Sequence, residues 1–209
     1  MSENLIYLDH HATTPTDPRV VEAMAPFWTE KFGNPASFQH EQGRKAARAV
    51  EAATAQIASL LNADPTRLIF TSGATESNNL ALKGILQPQL RLAASGGTTP
   101  HVITSQVEHR SIIDPLKKLE RRGVKVTWLN VDQSGQIDLD ELNSAFRPET
   151  CLVTLIWANN EVGTIHPLRE ISDLCNEHQV PCIPMLFRSW QVTPRPVTKS
   201  RGHAELHGS

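Results

Sequence analysis

Residues 70–80 read Phe-Thr-Ser-Gly-Ala-Thr-Glu-Ser-Asn-Asn-Leu, and this stretch says more about the fold than any other part of the chain. A short apolar run from Arg67 to Phe70 leads into it, and an apolar helical pattern starts at Leu80. A strand that turns through Gly73 into a helix leaves unpaired N–H groups at the positive end of the helix dipole. The stretch therefore predicts a phosphate-binding loop, although an ordinary capped helix would show the same pattern.

Hydroxyl groups reinforce the first interpretation. Thr71, Ser72 and Thr75 add donors where a dianionic phosphate would sit. The glycine spacing matches neither the dinucleotide-binding fingerprint nor the ATP-type phosphate loop, because no Gly-Lys-Ser/Thr follows. A different class of phosphate ligand is therefore expected.

Composition limits the class of protein. The 209 residues include 39% hydrophobic and 20% charged residues with a formal net charge of -2, which is typical of a soluble globular domain. No basic face or apolar run of about 20 residues stands out, so neither nucleic acid nor a membrane is expected as a partner. The acidic start at Met1–Asn4 and the odd count of three cysteines favour a cytoplasmic protein.

Hydrophobic periodicity predicts strands that alternate with helices. This order indicates an α/β domain with a mainly parallel sheet flanked by helices. The predicted strands are 5–8, 67–70, 101–104, 124–129 and 152–157. The predicted helices begin at Pro18 and then cover 37–61, 76–86, 111–121, 138–146 and 167–178.

Polar clusters follow three of the predicted strands. They are Thr71–Thr75, Ser105–His109 and Ala158–Gly163. Ligands of parallel sheets lie beyond the carboxyl ends of the strands, so these three clusters are expected to converge on one site.

Several motifs together resemble the class V, fold-type I pyridoxal-phosphate enzymes, and among them the cysteine desulfurases. The segments that carry the resemblance run in family order: Tyr7–Pro15, Gly33–Ser37, Phe70–Leu80, Val107–His109 and Asn159–Thr164. The resemblance implies an incomplete large domain of this fold over residues 16–182, with residues 1–15 belonging to the family's small domain. It also implies pyridoxal 5'-phosphate as cofactor.

The family's functional residues can be placed on matching positions. The resemblance implies that Ala74 and Thr75 bind the cofactor phosphate and that Asn160 donates to its phenolic oxygen. His109 matches the catalytic histidine that stacks on the pyridine ring and takes part in proton transfer. Asn34 lies, by the same resemblance, near the entrance for the substrate amino acid.

Each of these residues also has an ordinary structural interpretation. His109 follows Glu108 and could cap a helix at the surface, and Asn159-Asn160 could form a simple turn. The adjacent pair His10-His11 is not expected to hold a metal, because neighbouring side chains on an extended segment point in opposite directions. No metal site is predicted.

The chain departs from the family after Cys182. The family has His-Thr-Asp-Ala-Val-Gln there, which supplies the aspartate for the pyridine nitrogen, and its cofactor-binding lysine and catalytic cysteine lie farther on. This chain has Ile-Pro-Met-Leu-Phe-Arg at 183–188, and residues 183–209 lack any apolar period, which indicates an irregular tail.

The genetic code offers an explanation for the departure. Cys182 to Arg188 can be encoded as TGC-ATA-CCG-ATG-CTG-TTC-AGG. Read from the third base of the first codon, the same bases give His-Thr-Asp-Ala-Val-Gln. The hypothesis is that residues from Ile183 onward form an out-of-frame tail; a genuine variant or a coincidence of codons are the alternatives.

The resemblance implies a cysteine desulfurase that converts L-cysteine to L-alanine and passes sulfur as a persulfide to an iron–sulfur scaffold or another acceptor protein. It further implies a homodimer. This chain is expected to be inactive by itself, because the lysine and the aspartate are missing. The alternatives are another class V enzyme, such as a selenocysteine lyase or a kynureninase-like enzyme, or a non-catalytic fragment.

Overall fold

The structure is a computed structural model that describes residues 6–10 and 12–186. Seven α-helices, one 3-10 helix at Pro65–Arg67 and four strands occur in this part of the chain. The helices are α1 Pro18–Met24, α2 Pro26–Thr29, α3 Glu41–Leu61, α4 Ala74–Ala94, α5 Arg110–Glu120, α6 Leu139–Ala145 and α7 Leu168–Glu177. The strands are β1 His101–Ser105, β2 Lys125–Leu129, β3 Thr150–Ala158 and β4 Cys182–Leu186.

The four strands form one sheet in the order β2-β1-β3-β4, and each neighbouring pair is parallel. The predicted parallel α/β architecture is confirmed. Between consecutive strands the chain passes through a helix, which is the connection that parallel strands require. The carboxyl ends of all four strands therefore lie along one edge of the sheet.

Two apolar layers cover the sheet. On β3, Leu152 and Ile156 face one layer, while Val153 and Leu155 face the other, as the two-residue period of a strand dictates. Helices α4 and α5 supply Leu82, Leu86, Ile112, Leu116 and Leu119 to the first layer. Helices α6 and α7 supply Leu142, Ile171 and Cys175 to the second.

Two compact units divide the described residues. The first reaches Phe70 and contains α1 to α3, and the second starts at Thr71 and contains the sheet with α4 to α7. Within the first unit, Asp17 caps α1 through its side chain and a proline follows, as predicted. None of the described helices combines the length and apolar character that a bilayer crossing requires.

Two predicted strands are wrong. Residues 6–8 and 68–70 are irregular, and Leu8, Ile69 and Phe70 are largely exposed. An apolar run becomes a strand only where it finds a hydrogen-bonding partner, and neither run has one among the described residues.

The first residues of the predicted irregular tail, 183–209, also differ from the prediction. Residues 183–186 were expected to be irregular, yet they form β4 beside β3, with Ile156 opposite Met185. Pro184 is tolerated because β4 lies at the edge of this sheet, where a missing N–H need not face a partner. The rest of the predicted tail, 187–209, lies outside the described residues.

Candidate functional site

The predicted phosphate-binding loop forms the N-terminus of α4. Gly73 is its N-cap, with φ of 155°, and no side chain caps the helix there. Within the described part of the chain, a Cβ at Gly73 would meet no atom within 4 Å. Ala74 and Thr75 begin the helix and are exposed. The positive end of a 21-residue helix therefore faces open space at these two residues.

Side chains in and beside the loop before α4 form hydrogen bonds that fix the shape of the loop. The Glu76 carboxylate accepts hydrogen bonds from the Ser72 backbone N–H and hydroxyl, both at 2.7 Å. Thr71 and Ser77 share a hydroxyl contact of 2.6 Å. The Ser72 hydroxyl, followed by its N–H, lowers the pKa of Glu76, so this carboxylate stays charged. The sequence analysis did not identify these hydrogen bonds, which fix the turn through Gly73.

His109 is the N-cap of α5 and is half-buried. Its Nδ1 accepts the backbone N–H of Ser111 at 3.1 Å and lies 2.8 Å from the Ser111 hydroxyl. The predicted capping role of this histidine is thus confirmed. Capping fixes one ring nitrogen and does not conflict with a role for the imidazole at a site.

Hydrogen bonds link the elements that carry the three polar clusters. The Asn78 side-chain amide, in the first turns of α4, donates to the Ser111 hydroxyl of α5 at 2.8 Å. Asn159, which follows β3, donates from its side-chain amide to the carbonyl of Val107 at 3.0 Å. Helix α4 is thus linked to α5, and the loop after β3 is linked to the loop between β1 and α5. That Thr75, His109 and Asn160 face one pocket stays a prediction.

Glu108 anchors that central loop from inside the protein. Its Oε1 accepts the backbone N–H of Ile156 at 2.6 Å and the hydroxyl of Ser105 at 3.0 Å. The residue is 6% exposed, and its buried Oε2 has no hydrogen-bond partner among the residues that the structure describes. Burial, the main cause, raises the pKa of Glu108 to about 7. Sequence reasoning left this role out, because nothing local distinguishes a buried glutamate from a surface one.

The two asparagines after β3 have different surroundings. Asn159 forms the expected turn, since its Oδ1 accepts the backbone N–H groups of Glu161 and Val162 at 2.9 and 3.1 Å. Asn160 is half-buried beside it. The turn interpretation thus describes Asn159, while the role implied for Asn160 stays a prediction. Asn34 belongs to the other unit, where its Oδ1 accepts the backbone N–H of Ala36.

Position 185 lies beside the loops and carries a methionine. Met185 is 3% exposed, and its sulfur lies 2.9 Å from the Asn78 amide nitrogen and 3.9 Å from the Ser111 hydroxyl. A thioether is a weak acceptor, so the Asn78 amide, a good donor, faces a poor partner here. The surroundings of residue 185 would suit a carboxylate better than they suit this side chain.

None of the three cysteines is an activated nucleophile. Burial raises the pKa of the Cys151 thiol, and a hydrogen bond with Cys175 raises that of Cys182. The same contact lowers the pKa of Cys175, which is 1% exposed in the second apolar layer. A persulfide carrier would need an accessible thiolate.

Comparison with known proteins identifies relatives over most of the chain. The model of the class-V aminotransferase family matches residues 6–183. The cysteine desulfurase IscS of Neisseria meningitidis serogroup C / serotype 2a is 48% identical over 177 residues, covering 84% of this chain and 42% of the relative. The mitochondrial cysteine desulfurase of Saccharomyces cerevisiae is 46% identical over 175 residues, covering 84% of this chain and 34% of the relative.

Solved structures agree with this result. A structure titled "SspA in complex with cysteine" has a TM-score of 0.78 at 38% identity, covering 84% of this chain and 49% of that one. A NifS-like protein has a TM-score of 0.80 at 34% identity, covering 87% and 48%. The chain thus spans less than half the length of these relatives. The match of the family model over residues 6–183 shows that the chain belongs to the class-V aminotransferase family.

Proposed function

We propose that the chain carries the phosphate-binding and ring-binding loops of a cysteine desulfurase, which converts L-cysteine to L-alanine and passes the sulfur on as a persulfide. The observation that carries the proposal is the 48% identity to IscS. It is supported by the hydrogen bonds that link α4 to α5 and the loop after β3 to the loop between β1 and α5. Several relatives bear the name cysteine desulfurase, which favours this function over a selenocysteine lyase or a kynureninase-like enzyme.

Class V aminotransferases and cysteine desulfurases depend on pyridoxal 5'-phosphate, and the phosphate end of that cofactor fits the residues present. The N-terminus of α4 has no side-chain cap, and the space beside Gly73 is open. The N–H groups of Ala74 and Thr75, with the Thr75 hydroxyl, would hold the phosphate. When bound, the cofactor supplies an electron sink for breaking bonds of the substrate amino acid.

The chain's own residues would hold and orient the ring. His109 would offer a flat imidazole face to the ring and exchange a proton with the substrate, since an imidazole can act as both acid and base. Asn160 would donate an amide hydrogen bond to the phenolic oxygen without adding a charge. Both roles come from the family resemblance.

Position 185 does not fit the cofactor. The aspartate that the resemblance places there would pair with the pyridine nitrogen, whereas Met185 offers no charge. The lysine that attaches the cofactor in the family matches no position in 6–183. We therefore expect this chain by itself to bind pyridoxal 5'-phosphate weakly and reversibly, and to release no sulfide from L-cysteine.

Equilibrium dialysis of the full 209-residue chain against pyridoxal 5'-phosphate tests the phosphate site. Thr75→Ala should weaken binding about tenfold, because a hydrogen bond to a charged group contributes about 1.5–3 kcal/mol. The matched control is Thr98→Ala, which removes the same hydroxyl from the exposed loop beyond the opposite end of α4. Equal losses for the two variants, or no binding by the parent, would contradict the phosphate site.

A sulfide assay with L-cysteine tests the second expectation. Measurable turnover by the purified chain would show that it supplies the missing groups in another way. The homodimer and the iron–sulfur scaffold or other acceptor protein are proposed as partners by family resemblance only. A cytoplasmic location likewise remains a proposal, as some relatives are named mitochondrial or mitosomal.

A further inference from the structure

The hydrogen bonds around His109 determine which of its ring nitrogens carries the proton. A backbone N–H can only donate, and the N–H of Ser111 points to Nδ1 of His109 at 3.1 Å. Nδ1 must therefore present its lone pair. In the neutral imidazole the proton then resides on Nε2.

The Ser111 hydroxyl has one proton to give, and its direction can be worked out. The Asn78 amide nitrogen lies 2.9 Å from the sulfur of Met185, and a thioether cannot donate, so this amide group is oriented as a donor. The same nitrogen lies 2.8 Å from the Ser111 oxygen and so donates to it. The hydroxyl proton is left for Nδ1 of His109 at 2.8 Å, which is much nearer than the sulfur at 3.9 Å.

We propose that Asn78 and Ser111 are positioning residues that hold His109 in the Nε2–H tautomer. Both are 6% exposed, so water does not compete for these hydrogen bonds. The chain of donors runs in one direction, from the Asn78 amide through the Ser111 hydroxyl to Nδ1 of His109. Neither residue was among those that the family motifs suggested.

The consequence for chemistry rests on the proposed function. A neutral His109 held in this way presents a donor at Nε2. Its Nδ1 accepts a proton only if both the Ser111 hydroxyl and the Ser111 backbone N–H leave its lone pair. Asn78 also couples this pair to position 185, because its two amide protons point to Ser111 and to residue 185. One amide group therefore connects the side chain at position 185 with the tautomer of His109.

Nitrogen-15 NMR of the full chain, labelled at histidine and free of cofactor, measures the tautomer directly. The chain has nine histidines, so His109→Gln identifies the signals of His109 by their loss. The parent should show Nε2–H. Ser111→Ala should raise the Nδ1–H fraction about fivefold, which corresponds to the loss of one ordinary hydrogen bond. Asn78→Ala should act in the same direction, because it releases the hydroxyl.

Two matched variants separate this role from general damage to the fold. Ser111→Thr keeps the hydroxyl, and Asn79→Ala removes the neighbouring amide, which bonds the carbonyl of Thr75 instead. Both should keep the parent tautomer, with circular dichroism confirming that every variant is folded. A parent His109 protonated on Nδ1, or an unchanged fraction in folded Ser111→Ala, would overturn the proposal. Because no cofactor or substrate is present, this result is independent of desulfurase activity.

Discussion

His101 is a buried, uncharged histidine at the start of β1. Its two ring nitrogens contact the hydroxyls of Thr150 and Thr127, each at 2.8 Å. Burial, aided by the charge of Arg147, lowers its pKa to about 4. In the unfolded chain the pKa returns to about 6.5. The unfolded state therefore binds this proton first as the pH falls.

We expect His101 to destabilise the fold in acid. Its contribution to stability is present above about pH 6.5 and declines by roughly 1–3 kcal/mol as the pH falls toward 4. Denaturant unfolding between pH 7 and 4 measures the effect, and His101→Gln should reduce the acid loss. An identical pH dependence for the parent and the variant would show that His101 does not titrate in this way.

Glu108 should give the opposite dependence on pH. Burial raises its pKa to about 7 in the folded state, against about 4.3 in the unfolded chain. Its stability contribution is complete below about pH 4.3 and is lost as the pH rises through 7. Glu108→Gln resembles the protonated form, so its stability relative to the parent should increase by roughly 2–4 kcal/mol between pH 4 and 8.

Denaturant unfolding of both proteins across this range provides the test. Glu177→Gln is the control, because it makes the same change at an exposed position. Its difference from the parent should stay constant with pH. If the difference for Glu108→Gln is also constant, the buried carboxyl does not change its protonation on folding.

Sequence patterns identified only part of the candidate site. Ala74, Thr75, His109 and Asn160 were found because they lie within recognisable motifs. The same motifs contain Asn78 and Glu108 but do not indicate their partners: Asn78 bonds a residue 33 positions away, and Glu108 bonds one 48 positions away. Partners at such distances meet only after the sheet has formed, so local patterns do not indicate them.

Two helical glycines have opposite surroundings, and this contrast allows a matched prediction for helices α3 and α4. A Cβ at Gly43, in the first turn of α3, would lie 1.8 Å from the carbonyl oxygen of Ser37. A Cβ at Gly84, inside α4, would meet nothing within 4 Å. Gly43→Ala should destabilise the protein by about 1–3 kcal/mol through overpacking. Gly84→Ala should stabilise it by about 0.5–1 kcal/mol through helix propensity.

Thermal and denaturant unfolding of the two variants would test this pair of effects. The substitution is the same in both, so a difference in sign can only come from the surroundings. A stable Gly43→Ala protein would mean that the segment 34–37 moves away from α3 at little cost. A destabilised Gly84→Ala protein would mean that another surface covers this face of α4.

Elements with a strong period were easier to predict than isolated apolar runs. The long helix before the phosphate loop, the strands β1 to β3 and the helices between them all follow their sequence patterns within a few residues. Residues 5–8 and 67–70 have strand-like composition, but pairing decides whether a strand forms. Strand β4 was not predicted, because Pro184 and the change of composition are untypical of a strand. The segment nevertheless pairs with β3.

At the level of the whole molecule, the first unit presents many apolar side chains. Trp28, Phe32 and Phe38 are each at least 66% exposed, and a groove of about 430 Å³ runs between α2, α3 and Phe70. Large exposed apolar surfaces favour association. We expect the purified chain to elute from a size-exclusion column above its monomer mass of 23.1 kDa. A concentration-independent monomer would contradict this expectation.

The end of the family match gives the last prediction. The match stops at Ile183, one residue after the point where the sequence departs from the family. The Asn78 amide donates toward the sulfur of Met185 at the place where the resemblance expects an aspartate. If the tail is out of frame, the gene should encode His-Thr-Asp-Ala-Val-Gln in the frame that starts at the third base of the Cys182 codon. Sequencing the gene across codons 180–190 shows whether the tail is out of frame. A neighbouring frame that does not encode this segment would exclude a frameshift. Met185 would then be a genuine feature of this protein.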